Sequence, residues 1–420
     1  MAQVRSEYTD SVNFFGGNDA CELAAQYDTP LYVYNEDILR KCCRELRALS
    51  SHPQFYVNYS AKANSNLSLL KIIREEGLVV DAMSPGELFF NLQAGFTPDQ
   101  ILYVCNNVSE AEMRNAAEHG VLLSVDSLAQ LEMYGRVNPG GKVMIRFNPG
   151  IGAGHHKKVV TGGKATKFGV DPFAEGSLDA VRAILTKYNL TLAGVNQHIG
   201  SLFMEAKGYI DAARVLLSVA EEFDTIEVID FGGGFGIPYR KYEDQPRLDL
   251  ADLSTQLHGL ITEWSAEHNY AGRFYVEPGR YVAAECGLVL GSVYATKYNG
   301  PTRYVGTDLG FNVLARPMLY DAHHDMEVYR KDGQPDPELM PQTVVGNICE
   351  SGDIMAKDRP LPKVQQGDII GVMDAGAYGY VMSSTYNQRL RPAEILITSE
   401  GKVELVRRRE TLEDLMTLYK

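Results

Sequence analysis

FYVNYSAKANSNLSLLKIIREEGLVVDAMSPGELFFNLQAG, residues 55–95, contains one structural sentence written twice. Phe55–Ala61 is a short run of aromatic and apolar residues, a stretch with helical spacing follows, and Leu78–Met83 opens the next run. Ser84-Pro85-Gly86-Glu87 then reads as an N-cap, a proline at the first helical position and a capping-box glutamate. Working outward, the same runs recur at Ile101–Cys105, Leu122–Val125, Val143–Phe147, Ala193–His198, Ile226–Phe231 and Phe274–Glu277. Ser109 with Glu112 and Ser127 with Gln130 repeat the box, and Gly77, Gly95 and Gly120 stand where helices should stop. Eight strand–helix units predict a parallel (β/α)8 barrel of the TIM type over residues 37–285; a doubly wound open sheet is the competing arrangement.

After about residue 285 the texture changes. Gly287–Lys297, Arg303–Val305, Glu327–Arg330, Thr343–Ile348, Asp368–Met373 and Ile395–Thr398 read as strands without long helices between them, and Ser399-Glu400-Gly401-Lys402 as a hairpin turn into Val403–Val406. Residues 286–420 are therefore expected to form a β domain, which the N-terminal segment 1–36 is expected to join. A length of 420 residues suits two such domains. A net charge of -14 argues against a nucleic-acid surface, which needs a basic footprint. No apolar run approaches the roughly 18 residues of a membrane span, and the first residues lack the apolar centre of a secretion signal, so a cytoplasmic protein is expected. The six cysteines form no CxxC pair and no zinc-ligand spacing. His155-His156 and His323-His324 lack a third ligand at a suitable spacing, so no metal is expected.

In a barrel of this kind the chemistry gathers where the strands end. The predicted runs end at Lys62, Asp81, Asp126, Arg146 with Asn148, His198, Gly232-Gly233-Gly234 and Glu277. Lys62 is flanked by small residues; a lysine whose ammonium is destabilised by burial forms an imine with a carbonyl, whereas a surface lysine merely caps its strand. Glycines after an apolar strand let backbone N–H groups approach a phosphate, or simply make a tight turn. His198 fits stacking on an aromatic cofactor, metal ligation or a core hydrogen bond. Glu277 fits a carboxylate that keeps a pyridine nitrogen protonated, or a salt-bridged strand end. Their convergence on one rim says more than any one of them. The long glycine- and lysine-rich segment 150–169 is a candidate lid or a solvated loop.

Taken together, SAKAN (60–64), VDAMSPGEL (80–88), HIGS (198–201), GGGFGIPY (232–239) and EPGR (277–280) resemble the fold-type III decarboxylases that use pyridoxal 5'-phosphate (PLP). ARPMLYDAHH (315–324), CESGD (349–353), DAGAYGYVMSSTYN (374–387) and RPAEIL (391–396) extend the resemblance over nearly the whole chain. It implies a PLP-binding barrel followed by a β-sandwich-like or barrel-like domain. It also implies that Lys62 holds PLP, His198 stacks on its ring and Glu277 pairs with the pyridine nitrogen. Asp81, Ser201, Gly232, Gly233, Gly234, Gly279, Arg280 and Tyr378 would complete the cofactor site. Arg280, Arg316, Tyr320, Glu350 and Tyr378 would bind substrate, and Cys349 would donate the proton after CO2 leaves. The family works as a homodimer whose CESGD loop enters the partner's active site. The implied reaction is decarboxylation of meso-2,6-diaminopimelate to L-lysine. The alternatives are a decarboxylase of D-ornithine, D-lysine or carboxynorspermidine, or a non-catalytic PLP-binding protein. Gly306–Asn312 and Leu202 depart from the family's usual pattern.

Overall fold

The computed structural model describes residues 7–151, 153–154, 167–333 and 338–420. The chain divides into two compact units: Arg40–Ile237 with Pro246–Val282, and Met1–Leu39 with Pro238–Gln245 and Ala283–Lys420.

The first unit is a closed barrel of eight strands, met in chain order around the ring. They are Phe55–Tyr59, Val79–Ala82, Ile101–Val104, Leu122–Val125, Lys142–Arg146, Thr191–Asn196, Val228–Asp230 and Arg273–Val276. Every neighbouring pair is parallel. Closure is made by the last strand on the first, Phe274 opposite Phe55 and Val276 opposite Val57, which excludes the open sheet. Tyr56, Val79, Leu102, Leu122, Met144, Val228 and Tyr275 pack together as an apolar layer. Because side chains alternate along a strand, positions two residues further on point the same way. Those positions are Asn58, Asp81, Val104, Ser124, Arg146, Asp230 and Glu277, so the layer above the apolar one is mostly polar.

Helix punctuation follows the residues that predict it, with two changes of partner. Ser84, Ser109 and Ser127 each accept the N–H three residues on, and Ser109 with Glu112 completes the box. Glu87 instead takes the N–H of Met83 at 2.7 Å, and Gln130 reaches across to the N–H and C=O of Val108, both at 3.2 Å. Gly77, Gly95 and Gly120 follow the helices in the left-handed region, at φ 79°, 93° and 73°.

The second unit is built on a mixed nine-stranded sheet. Its main path runs Ile354–Pro362, Leu339–Val345, Thr302–Thr307, Gly287–Asn299, Leu31–Asn35, Ala393–Ile397 and Val403–Arg407. Ile369–Val372 pairs with both Gly287–Asn299 and Met326–Tyr329. Gly287–Asn299 changes register between Val293 and Ala295, where pairing passes from Ile369–Val372 to Thr302–Thr307. Leu31–Asn35 is parallel to Ala393–Ile397, and the two share a core with Phe14, Phe15, Leu288, Leu290 and Ile369. Neither Leu31–Asn35 nor Ile354–Pro362 is among the strands expected from sequence. Pro238–Gln245 lies within the sequence-derived barrel span yet clusters with this unit. Lys241 ties it there, 2.7 Å from Asp374 and 3.2 Å from Glu285, a buried cation between two buried carboxylates. Among the described residues no helix is long and apolar enough to cross a membrane.

Candidate active site

Lys62 sits in a single tight turn, Ala61–Ala63, directly after the first barrel strand. Both flanking alanines are fully buried. The turn is held from behind by Asp81 at the end of the second strand. One Asp81 oxygen accepts the Ala61 N–H at 2.8 Å and the other the Ser60 hydroxyl at 2.9 Å. The Tyr59 hydroxyl donates to the Asn64 carbonyl at 2.9 Å and closes the far side. Gly279 lies against the same turn; a Cβ there would stand 3.0 Å from Ser60 Cβ and Ala63 Cβ. Burial pushes the Asp81 carboxyl up, against the pull of the Lys62 ammonium. Asp81 thus fixes the backbone that carries Lys62. Asp81→Ala is expected to cost about 1–3 kcal/mol, because it strands a buried N–H and a buried hydroxyl. A thermal unfolding curve shows the cost, and a PLP titration of the variant shows whether weaker cofactor binding accompanies it.

The glycine loop follows the seventh strand. Gly232 and Gly234 take φ 74° and 108°, which favours glycine. A Cβ on Gly232, Gly233 or Gly234 would meet the carbonyl oxygens of Gln197, Glu277 and Gly200 at 2.1, 1.8 and 2.3 Å. Three successive glycines therefore let this backbone lie directly on the loops that carry His198 and Glu277. The Gly233 N–H donates to His198 Nδ1 at 3.2 Å, so Nδ1 is an acceptor and the ring is neutral with its proton on Nε2. Burial holds the imidazole down, to about 4, helped by Lys62 and Arg146 and opposed by Glu277.

This shift has a sign that can be measured. The folded histidine binds its proton only near pH 4 and the unfolded one near 6.5, so between these values the unfolded chain holds more proton. Stability contributed by neutral His198 is complete above about pH 6.5 and lost as pH falls toward 4. Melting temperature is expected to drop between pH 6.5 and 4.5, and to drop less in His198→Gln.

Glu277, at the end of the eighth strand, is 3% exposed. Its Oε1 is buried with no hydrogen-bond partner, and Oε2 lies 3.8 Å from His198 Nδ1. Burial alone would raise its carboxyl, but the groups around it, the Lys62 ammonium among them, outweigh burial and hold Glu277 ionised. Asp230, one strand away, goes the other way: burial and the Glu277 charge push its carboxyl well up. Arg146 Nη2 donates to the His198 carbonyl at 3.3 Å and adds a buried cation facing Glu277, Asp126 and Asp230. Arg280 Nη2 donates to Ser201 Oγ at 2.9 Å. Asp230 is absent from the sequence-derived site; its place two residues before Gly232, on an inward-facing position, is the signal that could have found it.

The barrel unit thus brings together Lys62, Asp81, His198, Ser201, Gly232, Gly233, Gly234, Glu277, Gly279 and Arg280. The other candidates lie on the β-rich unit. Arg316 is 2% exposed, at the start of the short helix Arg316–Tyr320. Cys349 and Glu350 lie on an exposed loop. Asn387 Oδ1 accepts from the Cys349 N–H at 3.3 Å and from its thiol at 3.4 Å, and the Tyr386 hydroxyl donates to Glu350. Tyr378 adopts φ 54°, in the left-handed region. His155-His156 and residues 155–166 of the candidate lid lie outside the described residues. His323 and His324 are engaged by Asp325, Arg359, Arg316 and the Met373 carbonyl.

A PLP group fits the barrel residues. Glu277 offers a buried, ionised carboxylate with an unsatisfied oxygen, His198 a neutral ring, Lys62 an amine on a clamped turn, and 232–234 a side-chain-free loop. A closed parallel barrel carrying this set on its strand ends defines a PLP enzyme of the barrel class. Residues 35–284 match the family model for the pyridoxal-binding domain of pyridoxal-dependent decarboxylases. The chain belongs to that family, and within it to the diaminopimelate decarboxylases. It is 41% identical to the diaminopimelate decarboxylase of Methanothermobacter thermautotrophicus, over 96% of this chain and 94% of that one. It is 32% identical to that of Escherichia coli K12, over 94% and 95%. The crystal structure of the Helicobacter pylori diaminopimelate decarboxylase complexed with L-lysine matches with a TM-score of 0.85 at 31% identity, covering 94% of this chain and 98% of that one. The M. jannaschii enzyme in co-complex with L-lysine matches at 0.86 and 30%, covering 96% and 95%.

Proposed function

We propose that this protein decarboxylates meso-2,6-diaminopimelate to L-lysine and CO2, the last step of lysine biosynthesis, with PLP carried on Lys62. The observation that carries the proposal is the convergence of Lys62, neutral His198, ionised Glu277 and the 232–234 loop on one barrel rim. PLP supplies an electron sink for the pair released when the bond from Cα to the carboxylate breaks. With PLP bound, Glu277 would keep the pyridine nitrogen protonated and His198 would pack on the ring, while Asp81 and Gly279 hold the Lys62 turn. Ser201, Gly232, Gly233, Gly234 and Tyr378 would hold the phosphate, with Arg280 beside it.

Arg280, Arg316, Tyr320, Tyr378 and Glu350 bind the substrate. An arginine takes the distal carboxylate in a two-bond fork, and Glu350 balances the distal ammonium. D-ornithine or D-lysine would leave a buried arginine without its anion, which disfavours both. Cys349 Sγ gives its proton to the carbon that lost CO2 and recovers one from solvent. The active form is a cytoplasmic homodimer, and the CESGD loop serves the partner's site. The test is product analysis: CO2 and L-lysine form in equal amounts from meso-diaminopimelate, with kcat/KM far above that for D-ornithine or D-lysine. Equal turnover of D-lysine contradicts the distal-carboxylate reading.

Cys349→Ala is expected to keep bound PLP and lose about 10²–10⁴-fold in kcat, the range of a positioned general acid. Mixing inactive Lys62→Ala with inactive Cys349→Ala is expected to restore part of the activity through hybrid dimers. No recovery after demonstrated subunit exchange places the whole site in one chain.

A further inference from the structure

The adjacent pair His323-His324 is not used by the proposed reaction, and one member of it is locked in an unusual way. His324 is 1% exposed. Its Nδ1 lies 2.7 Å from the Met373 carbonyl and its Nε2 2.7 Å from Arg316 Nη1. A carbonyl only accepts and a guanidinium only donates, so Nδ1 carries the proton and Nε2 offers its lone pair. Protonating Nε2 would set one N–H against another and place two cations in contact in a buried site. The arrangement therefore demands a neutral imidazole.

Arg316 is held on a second side by the face of Tyr239, 4.5 Å from the ring centroid, and His324 meets the same ring edge-on at 5.2 Å. The segment carrying His324 is itself fixed, since Arg359 Nη1 donates to the His324 carbonyl at 2.6 Å. A neutral acceptor orients a guanidinium without cancelling its charge. A carboxylate in the same place would neutralise it.

We infer that His324 is a positioning residue that aims the Arg316 guanidinium at the substrate's distal carboxylate, and so contributes to selecting a substrate that carries one. This rests on the reading of Arg316 as the ligand of that carboxylate. The carboxylate survives in the product, so L-lysine carries it and cadaverine, the diamine without it, does not.

The experiment compares His324→Leu, His324→Gln and Arg316→Ala as PLP-loaded enzymes. His324→Leu is expected to raise KM for meso-diaminopimelate and the inhibition constant of L-lysine about tenfold or more, the value of a hydrogen bond to a charged group. Its kcat, PLP absorbance and inhibition by cadaverine are expected to change little. His324→Gln, whose amide oxygen stands in for Nε2, is expected to recover most of the loss. If Arg316→Ala raises KM while His324→Leu does not, the positioning role is overturned and the reading of Arg316 stands. If Arg316→Ala leaves KM unchanged, both fall. Equal defects in Leu and Gln, or a loss confined to kcat and PLP binding, would also overturn the positioning role.

Discussion

Lys62→Ala is expected to abolish covalent cofactor attachment and to lower kcat/KM by at least about a thousandfold, as removal of a covalent catalytic group does. The clamp on the turn makes this variant informative. Its contacts come from backbone and neighbours: the Ala61 N–H and Ser60 hydroxyl on Asp81, and the Tyr59 hydroxyl on Asn64. None uses the Lys62 side chain, so the fold is expected to survive its loss. One charge is removed beside Asp81 and Glu277, both of whose carboxyls Lys62 pulls down against burial. The measurement is the absorbance of PLP added to the purified variant, with unfolding followed in parallel. A variant that still binds PLP covalently and turns over at the normal rate removes Lys62 from the chemistry.

The second large effect is expected from Glu277→Gln. The amide is nearly isosteric but uncharged, so it cannot hold a pyridine nitrogen protonated. Loss of a preorganised charge of this kind is expected to lower kcat by about 10²–10³-fold, with KM changed much less. Glu277 also balances Arg146 and Lys62, and its charge adds to burial in pushing the Asp230 carboxyl up. The variant should therefore show a pH–rate profile altered as well as lowered. Normal kcat in Glu277→Gln would mean that the carboxylate serves the barrel's charge balance alone.

Much of the barrel was legible because its strands are buried and read as short apolar runs between capped helices. Their ends were less legible. Ala61, Met83, Cys105, Phe147 and His198 continue the apolar or strand-like character after the ladder has stopped. Ile354–Pro362 escaped notice because Lys357, Asp358, Arg359 and two prolines break any alternation; the strand lies at the end of the sheet's path, where such residues are tolerated. Leu31–Asn35 is fully buried, but its partners, Gly287–Asn299 and Ala393–Ile397, are hundreds of residues away, and no local pattern announces them.

The site divides in the same manner. Lys62, His198 and Glu277 are visible as polar residues that end apolar runs. Asp81 is visible too, though its hydrogen bonds to Ser60 and Ala61 could not be read from spacing. Asp230 hides inside the run Ile226–Phe231, and its carboxyl is pushed up by burial and by a carboxylate from the next strand. His324 draws attention as half of a histidine pair, but its partner Arg316 is eight residues back across a short helix, and only the fold brings the two together.

The proposed reaction is decarboxylation of diaminopimelate with PLP carried on Lys62. Its most direct test is the absorbance spectrum of the purified protein, followed by CO2 release from meso-diaminopimelate. The expected result is a visible PLP band that Lys62→Ala abolishes, together with CO2 release by the wild-type protein alone. No band after PLP is added, or a band with no CO2 from this substrate, would contradict it.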